Sequence, residues 1–181
     1  MPDTSDVDLV RRAQGGNVEA VGELYDRHHT RIFRYLWSRV RDPHLAEDLT
    51  GEVFARMVRD LPGYRTRGIP FQAWLYRIAH NLAVDHQRMQ GRHPLVPLED
   101  AETVRAEDQD PVAKVERQLT LERVEGALDT LDPNQREVVV LRFLVGLSLR
   151  EVAAALDRSV ASIKSLQHRG LVALRAALQE G

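Results

Sequence analysis

The sequence predicts an all-α protein of two small helical domains joined by an acidic flexible linker, the second domain carrying a helix-turn-helix. Three observations predict it. Asp42-Pro43, Asp110-Pro111 and Asp132-Pro133 each set a side-chain acceptor before a proline at a first helical position, where the missing N–H costs nothing. Apolar residues recur at spacings of three and four along nearly every long segment. Strand alternation is missing: the apolar run Val138 to Leu141 sits inside a capped helical pattern that continues through Leu144 and Leu147.

Taken in order, the pattern predicts helices over 6–14, 18–41, 43–61, 70–91, 112–129, 133–144, 148–156 and 159–178. Asn17 caps the second, whose stripe is Val21, Leu24, Tyr25, His28, Ile32, Leu36 and Val40. In the third, Leu45, Leu49, Phe54, Met57 and Leu61 are expected to pack inward, leaving Glu47, Asp48 and Glu52 outside. The fourth buries Phe71, Trp74, Leu75, Ile78 and Leu82. Between about Arg92 and Asp110 lie two prolines, many acids and little periodicity, which reads as an exposed linker. Domains are therefore expected over 1–91 and 111–181, flanking a linker over 92–110.

At 181 residues and 43% hydrophobic content the chain can bury a core. Its net charge of -2 conceals two blocks of opposite sign. From Arg56 to Arg92 there is a surplus of about five positive charges, and from Pro94 to Glu125 acids outnumber bases. Cysteine is absent, which excludes disulfides, thiol catalysis and Cys-ligated zinc and suits a reducing compartment. No apolar run reaches the roughly 18 residues a membrane span needs. The N-terminus MPDTSDVD is acidic where a signal peptide would be basic and then apolar, so a cytoplasmic protein with no membrane insertion is expected.

The segment LSLREVAAALDRSVASIKSLQHRG, Leu147 to Gly170, has helix-turn-helix spacing. Ser148 with Glu151 three residues on forms a capping box, and a second start follows at Ser159 after the short Asp157-Arg158 turn. Ile163, Leu166 and Leu171 are expected to face inward. Small and hydrogen-bonding residues on the outer face suit a major groove: Ser159, Ala161, Ser162, Ser165 and His168 for base edges, Arg158, Lys164 and Arg169 for phosphates. An αα-hairpin of any helical bundle gives the same apolar pattern.

The helix PFQAWLYRIAHNLAVDHQRMQG carries a polar stripe of Arg77, Asn81, Asp85 and Arg88, with His80 and Val84 alongside. Such a stripe is ordinarily a solvated face. The preceding loop, Pro62-Gly63-Tyr64-Arg65-Thr66-Arg67-Gly68-Ile69, mixes arginines with an aromatic and two glycines, a composition that can hold an unstacked base.

Three features in order resemble the bacterial RNA polymerase sigma factor family, in particular its small extracytoplasmic-function (ECF) group. They are the acidic helix AEDLTGEVFARM (46–57), the helix FQAWLYRIAHNLAVDHQR (71–88) and the C-terminal helix-turn-helix. The resemblance implies a subunit that binds core RNA polymerase, recognises the promoter's minus-ten element as melted single strand and reads the minus-thirty-five element as duplex. It assigns the minus-ten contacts to Tyr64, Arg65, Arg67, Arg77, His80, Asn81, Val84 and Arg88, with Asn81 and the loop holding a flipped non-template base. Asp85 is expected to be internal support, because a carboxylate facing phosphate would repel it. The minus-thirty-five contacts fall to Arg158, Ser159, Ala161, Ser162, Lys164, Ser165, His168 and Arg169. Glu47, Asp48 and Glu52 would meet the β′ clamp helices, the second domain the β flap, and the linker the cleft that leads toward the RNA exit path. An anti-sigma factor is a further partner the family implies; no cofactor is implied.

Two positions depart from the family pattern. Gly51 stands where the family carries Gln, which lowers helix propensity by about 1 kcal/mol relative to Ala. Asp157 stands in a turn where the family has Gly, and Asp tolerates the left-handed conformation better than most residues. An enzyme is disfavoured: Glu47, Asp48, Glu52, His80, Asp85 and His86 lack a ligand motif such as HExxH and are spread over different helices. A stand-alone helix-turn-helix regulator is the alternative, and it would leave the surface from Tyr64 to Arg88 without a task.

Overall fold

The computed structural model describes residues 5–91 and 122–180, and every regular element among them is helical. These are α1 (Asp6–Gln14), α2 (Val18–Val40), α3 (Pro43–Asp60), a 3-10 turn (Leu61–Gly63), α4 (Phe71–Met89), α5 (122–129), α6 (Pro133–Val139, continuing as a π-helix over Val140–Leu144), α7 (Leu149–Leu156) and α8 (Val160–Glu180). The expected linker and the Asp110-Pro111 start lie outside the described residues.

Side-chain caps fix the starts. Asn17 accepts from Ala20 N (2.8 Å), Asp42 from His44 N (2.9 Å) and Leu45 N (3.2 Å), and Asp132 from Asn134 N (2.9 Å). Ser5, which the pattern did not single out, caps α1 through Asp8 N. α2 ends one residue earlier than expected because Arg41 turns left-handed, φ 53°, as its C-cap.

By backbone contacts the described residues form two compact units. One contains residues 5–91 with Arg150–Arg158, the other 122–149 with 159–180. In the first, α2 packs against α1, α3 and α4. Leu9, Leu24, Ile32, Leu36, Met57 and Leu75 are fully buried there. Aromatic rings fill the rest: Tyr35 meets Tyr76 edge-on at 5.3 Å, and Trp74 stacks on Tyr64 at 4.6 Å. Phe71 is a core residue, 5% exposed, as its register predicts, whereas Trp74 and Ile78, expected on the same buried stripe, are only half-buried. Leu45 and Leu49 are only half-buried, so the inward face of α3 is Ala46, Thr50, Val53, Phe54 and Met57. Fully buried Thr50 satisfies its hydroxyl on Ala46 O at 2.6 Å.

In the second unit α6 packs on α8, and glycine sets how closely. A Cβ at Gly170 would come within 2.9 Å of Val139 Cγ2 and 3.3 Å of Gln135 O. Gly170 therefore takes the inward place expected of Leu171, which is 38% exposed. The spacing 163, 166, 170 keeps one face, and position 171 rotates past it. The helix expected over 133–144 widens at its end: Val145 N–H donates to Val140 O (3.0 Å) and Leu147 N–H to Leu141 O (2.9 Å), around Gly146 at φ 88°. Arg142 fastens that end, donating to Leu147 O and, at 2.9 Å, to Gln167 Oε1 on α8.

Candidate nucleic-acid and polymerase interface

Residues 64–70 leave the 3-10 turn and enter α4, and their backbone is held from three sides. Tyr64 hydroxyl donates to Ile69 O at 2.5 Å, closing the loop across its base. Gly68 N–H donates to Arg65 O at 3.2 Å, tightening its tip. The Gln14 carboxamide at the end of α1 donates to Leu61 O (2.9 Å) and Tyr64 O (2.8 Å). Arg65, Thr66, Arg67 and Gly68 are left exposed.

Tyr64 corrects an expectation. Tyr64 is 7% exposed, its ring stacked on half-buried Trp74 at 4.6 Å and set edge-on to Phe71 at 5.9 Å. Burial also raises its hydroxyl pKa. It shapes the loop from within and offers no stacking plane to a base. The planar groups left on the loop surface are the guanidiniums of Arg65 and Arg67.

On α4, Asn81 and Arg88 are exposed, whereas His80 and Val84 are half-buried. Asp85 is exposed beside them, one turn from Asn81, and is not internal support. The His80 imidazole is pushed down to about 4, chiefly by burial and secondly by the charges of Arg39 and Arg158. At neutral pH it is uncharged, and it can offer a hydrogen bond but no cation. Arg77 donates to Ala154 O from Nε (3.0 Å) and from a terminal nitrogen (2.5 Å), and lies 3.7 Å from the Asp157 carboxylate.

α3 shows Glu47, Asp48 and Glu52 on its exposed side with Gly51 among them. Glu52 accepts from Arg56 Nε at 2.8 Å, a surface pair one turn apart. Around Gly51 the surface is open, with nothing within 4 Å of where a Cβ would stand. Val58, 50% exposed, adds an apolar element.

α7 and α8 are joined by a turn at Asp157, which adopts φ 52° in place of the glycine the family pattern has there. Ser159 caps α8: its Oγ accepts from Ser162 N–H at 3.1 Å, leaving its own hydroxyl proton to donate outward. Ile163 is fully buried and Leu166 nearly so. Arg158, Ser159, Ala161, Lys164, Ser165, His168 and Arg169 are exposed, and Ser162 is half-buried.

Among the described residues no three His, Asp or Glu side chains gather as a metal site, and no helix is long and apolar enough to cross a membrane. Sequence reasoning missed Gln14 and Arg142. Their partners are carbonyls and a carboxamide up to 50 residues away, and no local spacing encodes them.

Comparison with known proteins agrees with this geometry. The Sigma-70 region 2 family model matches residues 24–93 and the Sigma-70, region 4 model residues 127–176. The ECF RNA polymerase sigma factor ShbA of Streptomyces griseus is 34% identical over 180 residues, 95% of this chain and 94% of that protein. BldN of Streptomyces coelicolor, another ECF sigma factor, is 35% identical over 96% of this chain and 66% of its own length. Among solved structures, CnrH in complex with the cytosolic domain of CnrY superposes with a TM-score of 0.74 at 29% identity, covering 98% of this chain and 99% of that one. The chain belongs to the ECF group of RNA polymerase sigma factors, the subunits that bind core polymerase and direct promoter-specific initiation.

Proposed function

We propose that the two halves of the chain divide promoter recognition. The first binds the minus-ten element as melted single strand, through Arg65 and Arg67 on the loop and Asn81, Val84, His80 and Arg88 on α4. The observation that carries this is the loop itself: an exposed pair of arginines on a backbone fastened at Tyr64 and Ile69, running directly into a helix whose outer face carries Asn81 and Arg88. A fixed backbone lowers the ordering cost of capturing a flipped base, and guanidinium planes stack on any base. Tyr64 supports the loop, and Arg77 joins the contacts only by releasing Ala154 O.

α8 reads the minus-thirty-five duplex from Ser159, Ala161, Ser162, Ser165 and His168, with Arg158, Lys164 and Arg169 on phosphates. Glu47, Asp48 and Glu52 dock on a basic surface of the polymerase β′ clamp, and the second half meets the β flap. The chain acts as a binding subunit without chemistry of its own, in the cytoplasm where polymerase works. CnrH is complexed with a cytosolic protein segment; by that likeness this chain is held by an anti-sigma factor.

The test is transcription in vitro with core polymerase freed of every sigma factor. Adding this chain is expected to give promoter-specific transcripts. Replacing Lys164 and Arg169 by Ala should weaken minus-thirty-five binding of the holoenzyme and lower its salt slope by about one unit per lost phosphate contact. No initiation on any promoter of the genome, together with a duplex footprint by the chain alone, would instead identify a stand-alone regulator.

A further inference from the structure

Helix α1 lies outside the segment that the region 2 family model matches, which begins at residue 24. Its last residue nevertheless touches the loop that leads into α4. Gln14 Nε2 donates to Leu61 O at 2.9 Å and to Tyr64 O at 2.8 Å, so both amide protons of one side chain are spent on two carbonyls of the same short segment. Two bonds from one planar group fix direction as well as distance. The Tyr64 carbonyl leads straight into Arg65, and the Tyr64 hydroxyl holds Ile69 O at the far end of the loop.

The position of Gln14 is itself determined. α1 is fastened to α2 where Asp6 meets His28 Nε2 at 2.8 Å and Arg27 at 3.0 Å, and buried Leu9, Val10 and Ala13 form its inner face. After Gln14 the helix stops at Gly15, and Gly16 turns at φ 89° toward α2. The side chain is thus delivered from a braced helix.

We propose that Gln14 is a positioning residue for base reading at the minus-ten element: it sets where Arg65 and Arg67 stand, and through them which base the loop accepts. The inference rests on the reading that this loop captures a flipped base. It makes α1 part of the promoter-reading apparatus, acting at the loop without touching DNA.

The experiment uses holoenzyme assembled from the full chain and core polymerase, with initiation measured over a promoter set bearing every single-base change in the minus-ten element. Gln14→Met keeps the length of the side chain and removes both donors. Val53→Ala, a fully buried change on α3, lowers the stability of the same unit without touching the loop. Arg65→Ala with Arg67→Ala disables the loop directly. Gln14→Met is expected to flatten discrimination at the position the arginine variant affects by at least about fivefold, the lower end for losing one base contact, while discrimination at other positions and polymerase affinity stay as in the parent and Val53→Ala leaves the pattern unchanged. Unchanged discrimination in Gln14→Met, or a loss spread evenly over all positions as in a general folding defect, overturns the proposal while leaving the loop reading standing. If the arginine variant changes no position, the loop reading fails, and the role of Gln14 with it.

Discussion

The Nε2 of His28 lies 2.8 Å from Oδ2 of Asp6, and this contact joins the first turn of α1 to the middle of α2. His28 is 4% exposed and sits edge-on to Phe71 at 5.5 Å, so the bond connects a surface carboxylate to the aromatic core. Arg27 completes the bracket on the other carboxylate oxygen at 3.0 Å.

Asp6→Asn should therefore destabilise the first unit by about 1.5–3 kcal/mol, the range for a hydrogen bond to a charged group. The hydrogen bond from His28, reinforced by the charges of His28 and Arg27, holds the Asp6 carboxyl below its ordinary 3.8. A carboxyl depressed in the folded state contributes stability above its unfolded value and loses it as the pH falls through the folded one. The difference between parent and variant should close as the pH falls below about 4. Both tryptophans, Trp37 and Trp74, lie in this unit, so urea unfolding followed by their fluorescence reads it alone.

His80 gives the opposite kind of titration. With its imidazole pushed down to about 4 in the folded state, it is neutral above its unfolded value near 6.5, and acid favours the unfolded chain, which binds the proton more readily. Stability should fall as pH drops from about 6.5 toward 4, and His80→Leu should reduce that fall. Because the ring is uncharged at pH 7, the same variant should leave the salt slope of promoter binding unchanged, whereas Arg88→Ala should lower it by about one unit. A slope change on removing His80 would show a charged ring.

Gly170→Ala should cost the second unit about 1–3 kcal/mol, the ordinary range for overpacking. The added methyl meets Val139 Cγ2 at 2.9 Å and the Gln135 carbonyl at 3.3 Å, and only the first of these can be relieved by a side-chain change. Val139→Ala in the same chain should recover part of the loss. Amide hydrogen exchange of α6 and α8 measures both.

Gly51 is exposed in the middle of α3 with open space around it, so nothing in the fold requires a glycine there. Gly51→Ala should stabilise the first unit by about 0.5–1 kcal/mol in tryptophan-monitored unfolding. Gly51→Gln should add a polar group to the acidic docking face and tighten core polymerase binding, measured by titration with labelled core.

Much of this architecture was legible in the sequence because it is written locally. An Asp before a proline, an Asn at the head of a stripe and a Ser before the last helix each cap within three residues, and Asn17, Asp42, Asp132 and Ser159 do so. Asp157 takes the left-handed turn for the same local reason. What periodicity misplaces is a residue at the edge of a stripe: Leu171 lies on a side of its helix that a shift of one residue interchanges, and tertiary packing decides for Gly170 against it. Asp85 stands exposed on the polar stripe where periodicity puts it, and only the expected repulsion by phosphate pointed inward. The burial of Tyr64 escapes the sequence pattern for a different cause. Its neighbours in sequence are polar, but its ring partners, Phe71 and Trp74, are reached only after the loop closes. Gln14 and Arg142 bind backbone carbonyls and a carboxamide, which leave no signature in side-chain spacing.

Capture of melted promoter strand by the outer face of α4 can be read from permanganate reactivity of promoter thymines in holoenzyme carrying Asn81→Ala. Thymine reactivity in the minus-ten region should drop while core polymerase binding and the minus-thirty-five footprint stay at parental levels. Full thymine reactivity in the variant would contradict this capture.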